Sequence, residues 1–297
     1  MTDEQRFVCH FFVFLLKELL FSMEKTREIQ YNNGRDEKKE SRVKAWRFKH
    51  KERIMEITSL TNAKVKQWAK YKEKKYREKE HRFLIEGEHL IEEAVRANLV
   101  ECIIVEREKP HPFQQFPVYE VTPEILRKLE SSVSGTRIMA VCHMPQYSEA
   151  DYGQRVIVLD DVQDPGNVGT IIRTALSFGY DAVLLSAHSC DIYNEKVIRS
   201  TQGALFHIPV IRGDVHAMLM ELKQRGSRIL ATSLHNASAL REVAVPEAFA
   251  LVFGNEGKGV SEEVLRLADT HVFIEMHTFE SLNVAVAAGI CMYAFKK

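Results

Sequence analysis

Residues 156–186 read VIVLDDVQDPGNVGTIIRTALSFGYDAVLLS, and this stretch decides the fold of the second half of the chain. The apolar run VIVLD predicts a buried strand, and AVLLS predicts a second one. Between them, Asp164-Pro165-Gly166 predicts a turn, because proline presets φ and glycine tolerates the conformations that follow. Asn167 is expected to cap the helix after the turn. A strand, a helix and a strand in this order predict a βαβ unit with parallel strands.

The same alternation continues to the end of the chain. Further strands are predicted at FHIPV, RILATS, FALVFG and HVFIE, and further helices at NEKVIRS, VHAMLMELKQRG, SEEVLRLA and SLNVAVAAGICMYAF. Strands that alternate with helices indicate an α/β domain with a mostly parallel sheet, which we assign to residues 155–297. In such sheets, ligands bind beyond the carboxyl ends of the strands.

The first half of the chain is organised differently. Strand-like and helix-like segments such as FLIEGEHLIEEAV, ECIIVE, TPEILRKLE and RIMAVC predict a small α/β domain over residues 55–142. Residues 143–154 have no periodicity and are interpreted as a linker. Residues 1–54 form an N-terminal extension that is either disordered or the product of an over-extended start site. Its apolar run FVCHFFVFLL is about half as long as a membrane span, so we expect no membrane anchor.

Composition excludes several classes of protein. The 297 residues carry no formal net charge, and the five cysteines are scattered without a CxxC pair. This pattern speaks against a metal site and a disulfide framework, and it favours the reducing cytoplasm. Charge is nevertheless uneven, because residues 64–82 contain nine Lys or Arg against three Asp or Glu. That run predicts either a solvated helix or a surface for an acidic partner.

Two more loops carry unusual polar residues. The segment LVFGNEGKGV (residues 251–260) is rich in glycine, but Lys258 is not followed by Ser or Thr, so a P-loop is rejected. Glu256 lies between glycines that let backbone approach a ligand closely. In the third loop, Ser281 is expected to cap a C-terminal helix that is apolar nearly all round, as in a deeply buried or interface helix. Asn283 lies near the start of that helix.

Together, DPGNVGTIIRTA, FGNEGKGV and ESLNVAVAAGI resemble the three signature motifs of the SpoU (TrmH-type) RNA ribose 2′-O-methyltransferases of the SPOUT superfamily. The resemblance covers about residues 155–297, and FLIEGEHLIEEAV upstream resembles the L30e/L7Ae-like RNA-binding domain that often accompanies them. It implies a parallel sheet with a deep trefoil knot, a rare exception to unknotted topology. It also implies S-adenosyl-L-methionine as the cofactor, bound at the knot, and a homodimer that packs through the knotted domain.

The resemblance also implies which residues form the site. The expected catalytic residues are Asn167, Arg173, Glu256, Ser281 and Asn283. Arg173 is expected to be essential, either as a base with a perturbed pKa or as a clamp on phosphate and ribose, since arginine rarely loses its proton. The expected cofactor-binding residues are Phe253, Gly254, Gly257, Ile274 and Leu282. In IEMHTFE, Glu275 replaces the family's usual proline and no glycine follows, which leaves the cofactor contacts of residues 273–278 open.

The function implied is 2′-O-methylation of a ribose in structured RNA, with ribosomal RNA of the large subunit as the expected substrate. Alternatives are a tRNA ribose methyltransferase and a catalytically silent RNA-binding or ribosome-assembly factor. With RNA as partner, the basic run becomes a predicted phosphate-binding surface. Its aromatic residues Trp68, Tyr71 and Tyr76 either stack on bases or pack in the core. The expected RNA-binding residues are Lys64, Lys66, Lys70, Lys74, Lys75 and Arg77.

Overall fold

A computed structural model describes residues 54–131, 135–277 and 281–296. The predicted extension over residues 1–54 lies outside the described residues, apart from Ile54. All the other described residues belong to one compact unit, Met55–Lys297. None of the described helices is long and apolar enough to cross a membrane.

The first half of the compact unit is built on a five-stranded sheet with the strand order β1-β4-β3-β5-β2. Strand β3 pairs parallel with β4 and antiparallel with β5, and β5 pairs antiparallel with β2, which is an edge strand. The elements are β1 (Ile54–Ile57), α1 (Ala63–Lys70), α2 (Lys74–Glu80), β2 (Arg82–Glu86), α3 (Glu88–Arg96), β3 (Val100–Glu106), β4 (Val118–Val121), α4 (Pro123–Leu129) and β5 (Ile138–His143).

The basic run forms two short helices, α1 and α2. Asn62 caps α1 by accepting a hydrogen bond from the backbone N–H of Lys64. The helical conformation is interrupted between α1 and α2. There, the guanidinium of Arg77 donates hydrogen bonds to the carbonyl oxygens of Tyr71 (2.7 Å) and Lys72 (2.8 Å). These carbonyls lie at the end of α1, where no intrahelical donor remains for them.

The second half contains a seven-stranded sheet with the strand order β10-β12-β9-β11-β6-β7-β8, and each of its six strand pairings is parallel. The predicted parallel α/β architecture is therefore confirmed. The elements are β6 (Arg155–Asp160), α5 (Pro165–Ser177), β7 (Ala182–Ser186), α6 (Glu195–Thr201), β8 (Val210–Gly213), α7 (Val215–Gln224), β9 (Arg228–Thr232), β10 (Ser238–Ala239), β11 (Phe249–Gly254), α8 (Glu262–Leu267), β12 (Thr270–Phe273) and α9 (Val284–Ala294).

Three local predictions were wrong. Helix α5 is capped by Asp164, whose side chain accepts a hydrogen bond from the backbone N–H of Asn167, so Asn167 is not the cap. Helix α9 is capped by Asn283 and not by Ser281. The strand predicted at FHIPV begins only at Val210, because a 3-10 turn occupies Ala204–Phe206. For the two caps, Asp, Asn and Ser side chains within a few residues of each other all have the chemistry of a cap, so local sequence does not choose between them.

Helices cover both faces of the seven-stranded sheet. Helices α5, α6 and α9 pack in one hydrophobic core, and α7 and α8 pack in a second core on the other face. The first core continues into the N-terminal half, where it includes Phe83, Ile85 and Ile91. The two halves therefore share buried apolar contacts in addition to the covalent link between β5 and β6.

The predicted linker, residues 143–154, is itself structured. It contains a 3-10 turn at Glu149–Asp151, and Tyr152 is buried in the second core. Polar contacts join the two halves as well, because Arg77 forms an ion pair with Asp191 and Glu93 lies 2.8 Å from the ring of His207. The domain boundaries drawn from sequence stay a prediction.

Candidate active site

Three loops meet at the carboxyl edge of the seven-stranded sheet. Strands β6 and β11 are adjacent and in register, with Asp160 opposite Gly254, so the loops that follow them leave the sheet side by side. The loops are tied together, because the amide of Asn255 donates to the carbonyl oxygen of Asp161 (2.9 Å). The carboxylate of Asp160 also accepts a hydrogen bond from the backbone N–H of Ser261 (2.8 Å).

A chain of hydrogen bonds connects Glu256, Asn167 and Asn283. The amide Nδ2 of Asn167 donates to Oε1 of Glu256 (3.1 Å), and its Oδ1 accepts from Nδ2 of Asn283 (3.0 Å). Oδ1 of Asn283 in turn accepts from the backbone N–H groups of Ala285 (2.9 Å) and Val286 (3.3 Å). One polar chain thus joins the start of α5, the loop after β11 and the start of α9.

Glu256 acts as an acceptor for two segments. Partial burial raises the pKa of its carboxyl, but hydrogen bonds from Asn167 and from the backbone of Asp164 and Gln163 outweigh burial and bring the pKa below its ordinary value. The carboxylate is therefore charged at neutral pH and cannot donate a proton to Asn167. This charge fixes the orientation of the Asn167 amide, because only the NH₂ group can face it.

The cap of α5 holds a cation beside the site. The backbone N–H of Asn167 and the side chain of Lys196 lower the pKa of Asp164, whose carboxylate lies 3.2 Å from Nζ of Lys196. Lys196 is the second residue of α6, so this ion pair joins the starts of α5 and α6. Sequence reasoning missed both residues, since an exposed Lys in a separate segment carries no local signal.

Two of the predicted catalytic residues do not join the hydrogen-bonded chain. Arg173 lies on α5 six residues after Asn167, about 9 Å further along the helix axis. It is exposed, and within the described parts of the chain no side chain pairs with its guanidinium. Ser281 is also exposed, and its hydroxyl makes no hydrogen bond to any described residue.

The predicted cofactor-binding residues lie along the same edge of the sheet. Phe253 and Gly254 end β11 and are buried, and a Cβ at position 254 would lie only 2.1 Å from backbone atoms of Gly259 and Val260. Only glycine allows the loop to fold back this closely. Gly257 is exposed in the returning loop.

Apolar side chains border this loop. Ile274 is partly buried against the first core, whereas Leu282 is 39% exposed. Leu234 follows β9 at the same edge and is 60% exposed; the sequence analysis did not select it, although its place after a parallel strand was a usable signal. Glu275, which stands where the family usually has proline, forms an ion pair with Arg241 (2.7 Å). Thr278 lies outside the described residues.

The predicted RNA-binding residues divide into two groups. Five of them have exposed side chains on α1 and α2, and these are Lys64, Lys66, Lys70, Lys74 and Lys75. Arg77 is 5% exposed and is occupied by two carbonyls and Asp191, so its prediction as a surface contact is corrected. Trp68 and Tyr71 pack in the core, whereas Tyr76 is only partly buried and lies between the ammonium groups of Lys70 (5.2 Å) and Lys75 (4.8 Å).

Comparison with known proteins identifies the family. The model of the SpoU rRNA methylase family matches residues 154–293, and that of the MRM3-like substrate binding domain matches residues 62–140. A curated relative from Bacillus subtilis, "23S rRNA (guanosine(2553)-2'-O)-methyltransferase RlmP", is 41% identical over 81% of this chain and 98% of its own length. The chain belongs to the SpoU rRNA methylase family.

Solved structures agree with membership of the SpoU family. An AdoMet-bound rRNA methyltransferase from Sinorhizobium meliloti is 26% identical in sequence. The match covers 82% of this chain and 97% of the Sinorhizobium chain, with a TM-score of 0.73. A structure described as an RNA 2'-O ribose methyltransferase is 30% identical in sequence. The match covers 81% of this chain and 98% of the other chain, with a TM-score of 0.68. These matches extend over both sheets, and they confirm the predicted SPOUT fold class with an additional N-terminal α/β domain.

Proposed function

We propose that this protein transfers a methyl group from S-adenosylmethionine to the 2′-hydroxyl of a ribose in structured RNA, and that the RNA is ribosomal RNA of the large subunit. The observation that carries the proposal is the hydrogen-bonded chain Glu256–Asn167–Asn283, whose central residue lies on α5, the helix that also presents the exposed Arg173. The activities named for the Bacillus subtilis relative and for the two solved structures support it.

The residues at the carboxyl edge fit S-adenosylmethionine. Leu234 and Leu282 expose apolar side chains there, although most large apolar residues of this protein are buried. They offer contacts for an adenine or a methionine chain, and the exposed backbone at Gly257 leaves room for close approach, whereas Gly254 lets the loop fold back on Gly259. When bound, the cofactor supplies an electrophilic methyl group.

The side chains around Asn167 orient the RNA. Each amide nitrogen of Asn167 and Asn283 carries two N–H groups, and one of each is used within the chain of hydrogen bonds. The two remaining N–H groups are donors for oxygen atoms of the ribose or its phosphates. Because Glu256 and the N–H groups of α9 hold both amides in place, these donors are oriented before the RNA binds.

Arg173 is the cation of the site. Its exposed guanidinium presents a planar set of N–H donors that matches a phosphate group. We retain two roles for it. As a clamp, it holds a phosphate next to the target ribose. As a base, it would first have to be in its neutral guanidine form, which then takes the proton of the 2′-hydroxyl as that oxygen attacks the methyl group.

The trefoil knot and the homodimer belong to the same proposal. Membership of the SpoU family supports the knot, and the contacts of Asn255 with Asp161 and of Ser261 with Asp160 mark where the segment after β11 meets the end of β6. An apolar stripe on α9 supports a dimer. Three exposed apolar residues form this stripe, spaced three or four positions apart on the helix: Val286, Ile290 and Tyr293.

We place the reaction in the cytoplasm. The four described cysteines are all free, as expected in a reducing compartment, and three of them are buried. The RNA is proposed to lie across α1 and α2, where the five exposed lysines face solvent and Tyr76 offers a ring for stacking.

The test uses the full-length protein with radiolabelled S-adenosylmethionine and an unmodified transcript of large-subunit rRNA. We expect label in the RNA at one site that resists alkaline hydrolysis. Arg173→Ala should lower the rate at least about 100-fold without weakening cofactor binding. Arg266→Ala, which removes an exposed arginine from α8 on the other face of the sheet, is the matched control.

The outcomes separate the alternatives. If the labelled methyl group enters tRNA but not the rRNA transcript, the protein is a tRNA methyltransferase and the proposed rRNA substrate is wrong. Incorporation into neither RNA would favour a silent RNA-binding factor. Arg173→Lys distinguishes the two roles of Arg173, since a base would change the pH dependence of the rate, whereas a clamp would mainly raise KM for RNA.

A further inference from the structure

A cleft of about 380 Å³ lies between the two halves of the compact unit. One wall is the edge strand β2 with residues of the segment between α1 and α2, and the other wall is the start of α6. Its volume is within the range of small-molecule sites. None of the predicted catalytic or cofactor-binding residues lines it.

The cleft has a fixed base and charged rims. Arg77 is buried at its base, where two carbonyls and Asp191 satisfy the guanidinium. Lys72 and Arg199 line opposite walls, and both are exposed. Lys72 donates to the carbonyl oxygen of Glu130 (2.7 Å) and Arg199 pairs with Glu195 (2.6 Å), which leaves each cation with unused N–H groups.

Tyr193 adds an aromatic wall. Its ring packs on Phe83 with centroids 4.8 Å apart, so the ring is held by the core that joins the two halves. Its hydroxyl makes no hydrogen bond to any side chain or backbone group of the described residues. A ring, a free hydroxyl and two flanking cations are the groups that bind a base together with its phosphate.

The cleft is mechanically linked to the active site. Helix α6 forms one wall, and Lys196 of this helix pairs with Asp164, which caps α5. The two helices also pack closely, since a Cβ on Gly169 would lie 2.5 Å from the Cβ of Ser200. On the opposite side, Lys72 continues the exposed lysines of α1 and α2. The cleft is thus connected to the basic helices through Lys72 and to the helix that carries Arg173 through α6.

We propose that the cleft holds one nucleotide of the RNA substrate, different from the nucleotide that is methylated. Its base packs against Tyr193 and its phosphate contacts Lys72 and Arg199. The inference rests on the proposed function and deepens it, because the cleft then sets which sequence or loop geometry presents the target ribose. A substrate strand is favoured over a free nucleotide, since the rim cations continue into a basic surface too long for one nucleotide.

The test measures RNA binding and methylation with Arg199→Gln, Lys72→Gln and the double variant. Arg266→Gln is the matched control, because Arg266 also pairs with a glutamate four residues earlier on an exposed helix face. The probe is the unmodified large-subunit rRNA transcript. We expect each cleft substitution to lower the slope of log Kd against log salt by about one, as for the loss of one phosphate contact. KM for RNA should rise while kcat and cofactor binding stay unchanged.

Tyr193→Phe keeps the ring on which the base packs and removes the hydroxyl, so it tests a hydrogen bond from that hydroxyl to the base without disturbing the core. It should change the preference among transcripts that differ at positions near the target and should leave the salt slope unchanged. If the cleft variants bind the transcript with the slope of Arg266→Gln, the inference is wrong even though methylation persists. GMP serves as a second probe, for a free nucleotide. If Arg199→Gln loses GMP binding but binds the transcript normally, the cleft is a site for a free nucleotide and the inference is wrong. Absence of methylation by the unsubstituted protein would instead refute the proposed function.

Discussion

At the scale of single residues, Asn167 is the point at which three distant segments meet. Its amide donates to Glu256, 89 residues away, and accepts from Asn283, 116 residues away. Neither contact has a local sequence signal, and each depends on the parallel register that brings the loops to one edge. The side chain is fixed by the fold, so its remaining N–H group is available in one direction.

Asn167→Asp tests this arrangement. The new carboxylate has no N–H to donate and would lie beside the charged Glu256, so the two side chains should separate. We expect methyl transfer to fall about 100-fold, as for a small misplacement of catalytic groups. Initial rates with saturating cofactor provide the measurement. Asn98→Asp, in the turn between α3 and β3, makes the same chemical change away from the site and should keep full activity.

At the scale of elements, the packing of α5 on α6 positions the site. Gly169 lets the helices approach, because a Cβ there would lie 2.5 Å from Cβ of Ser200 and 2.9 Å from the carbonyl oxygen of Val197. The same two helices carry Asn167, Arg173 and Lys196. A change in their separation should therefore affect both stability and activity.

Gly169→Ala should lower the free energy of unfolding by about 1–3 kcal/mol, the usual cost of overpacking. A decrease would be informative, because alanine is the better helix former and would raise the free energy of unfolding if space were available. Urea unfolding followed by circular dichroism gives the value. At Gly213 an added Cβ would meet only Met218 at an ordinary 3.7 Å, so Gly213→Ala should change the free energy far less. Equal effects of the two substitutions would contradict the close-packing argument.

At the scale of the whole molecule, one core connects the two halves, and one helix leaves an apolar face exposed. The first core joins the N-terminal half to the seven-stranded sheet, so the basic helices and the active site belong to one packed body. Helix α9 buries Ala285, Ala288 and Met292 against that core and exposes Val286 (52%) and Ile290 (39%) on its other face. Exposed apolar residues one turn apart are typical of a subunit interface.

The double substitution Val286→Asp and Ile290→Asp should convert a dimer to a monomer, because two carboxylates would have to be buried in an apolar contact. Sedimentation velocity at several protein concentrations measures the change. Met220→Asp is the matched control, since Met220 is 38% exposed on α7, on the other face of the sheet. A dimer that survives the double substitution would exclude this face of α9 as the interface.

The sequence by itself determined the alternation of most strands and helices and the residue types available at the candidate site. Alternation of apolar runs with amphipathic segments predicted the parallel sheet, because side-chain periodicity reflects which faces are buried. The resemblance to the SpoU motifs selected Asn167, Glu256 and Asn283, which the fold brings together. Short strands such as β4 and the caps of α5 and α9 were missed, since local propensity differs little between neighbouring candidates.

Only the tertiary structure decided which of these residues face solvent. Arg77 and Lys72 lie in one basic run, yet Arg77 is buried against Asp191 while Lys72 is exposed. The pairing of Asp164 with Lys196 and the cleft beneath Tyr193 also arise from segments that are far apart in the chain. Sequence patterns report burial along one element. Contacts between elements depend on strand order and helix packing, which no single segment encodes.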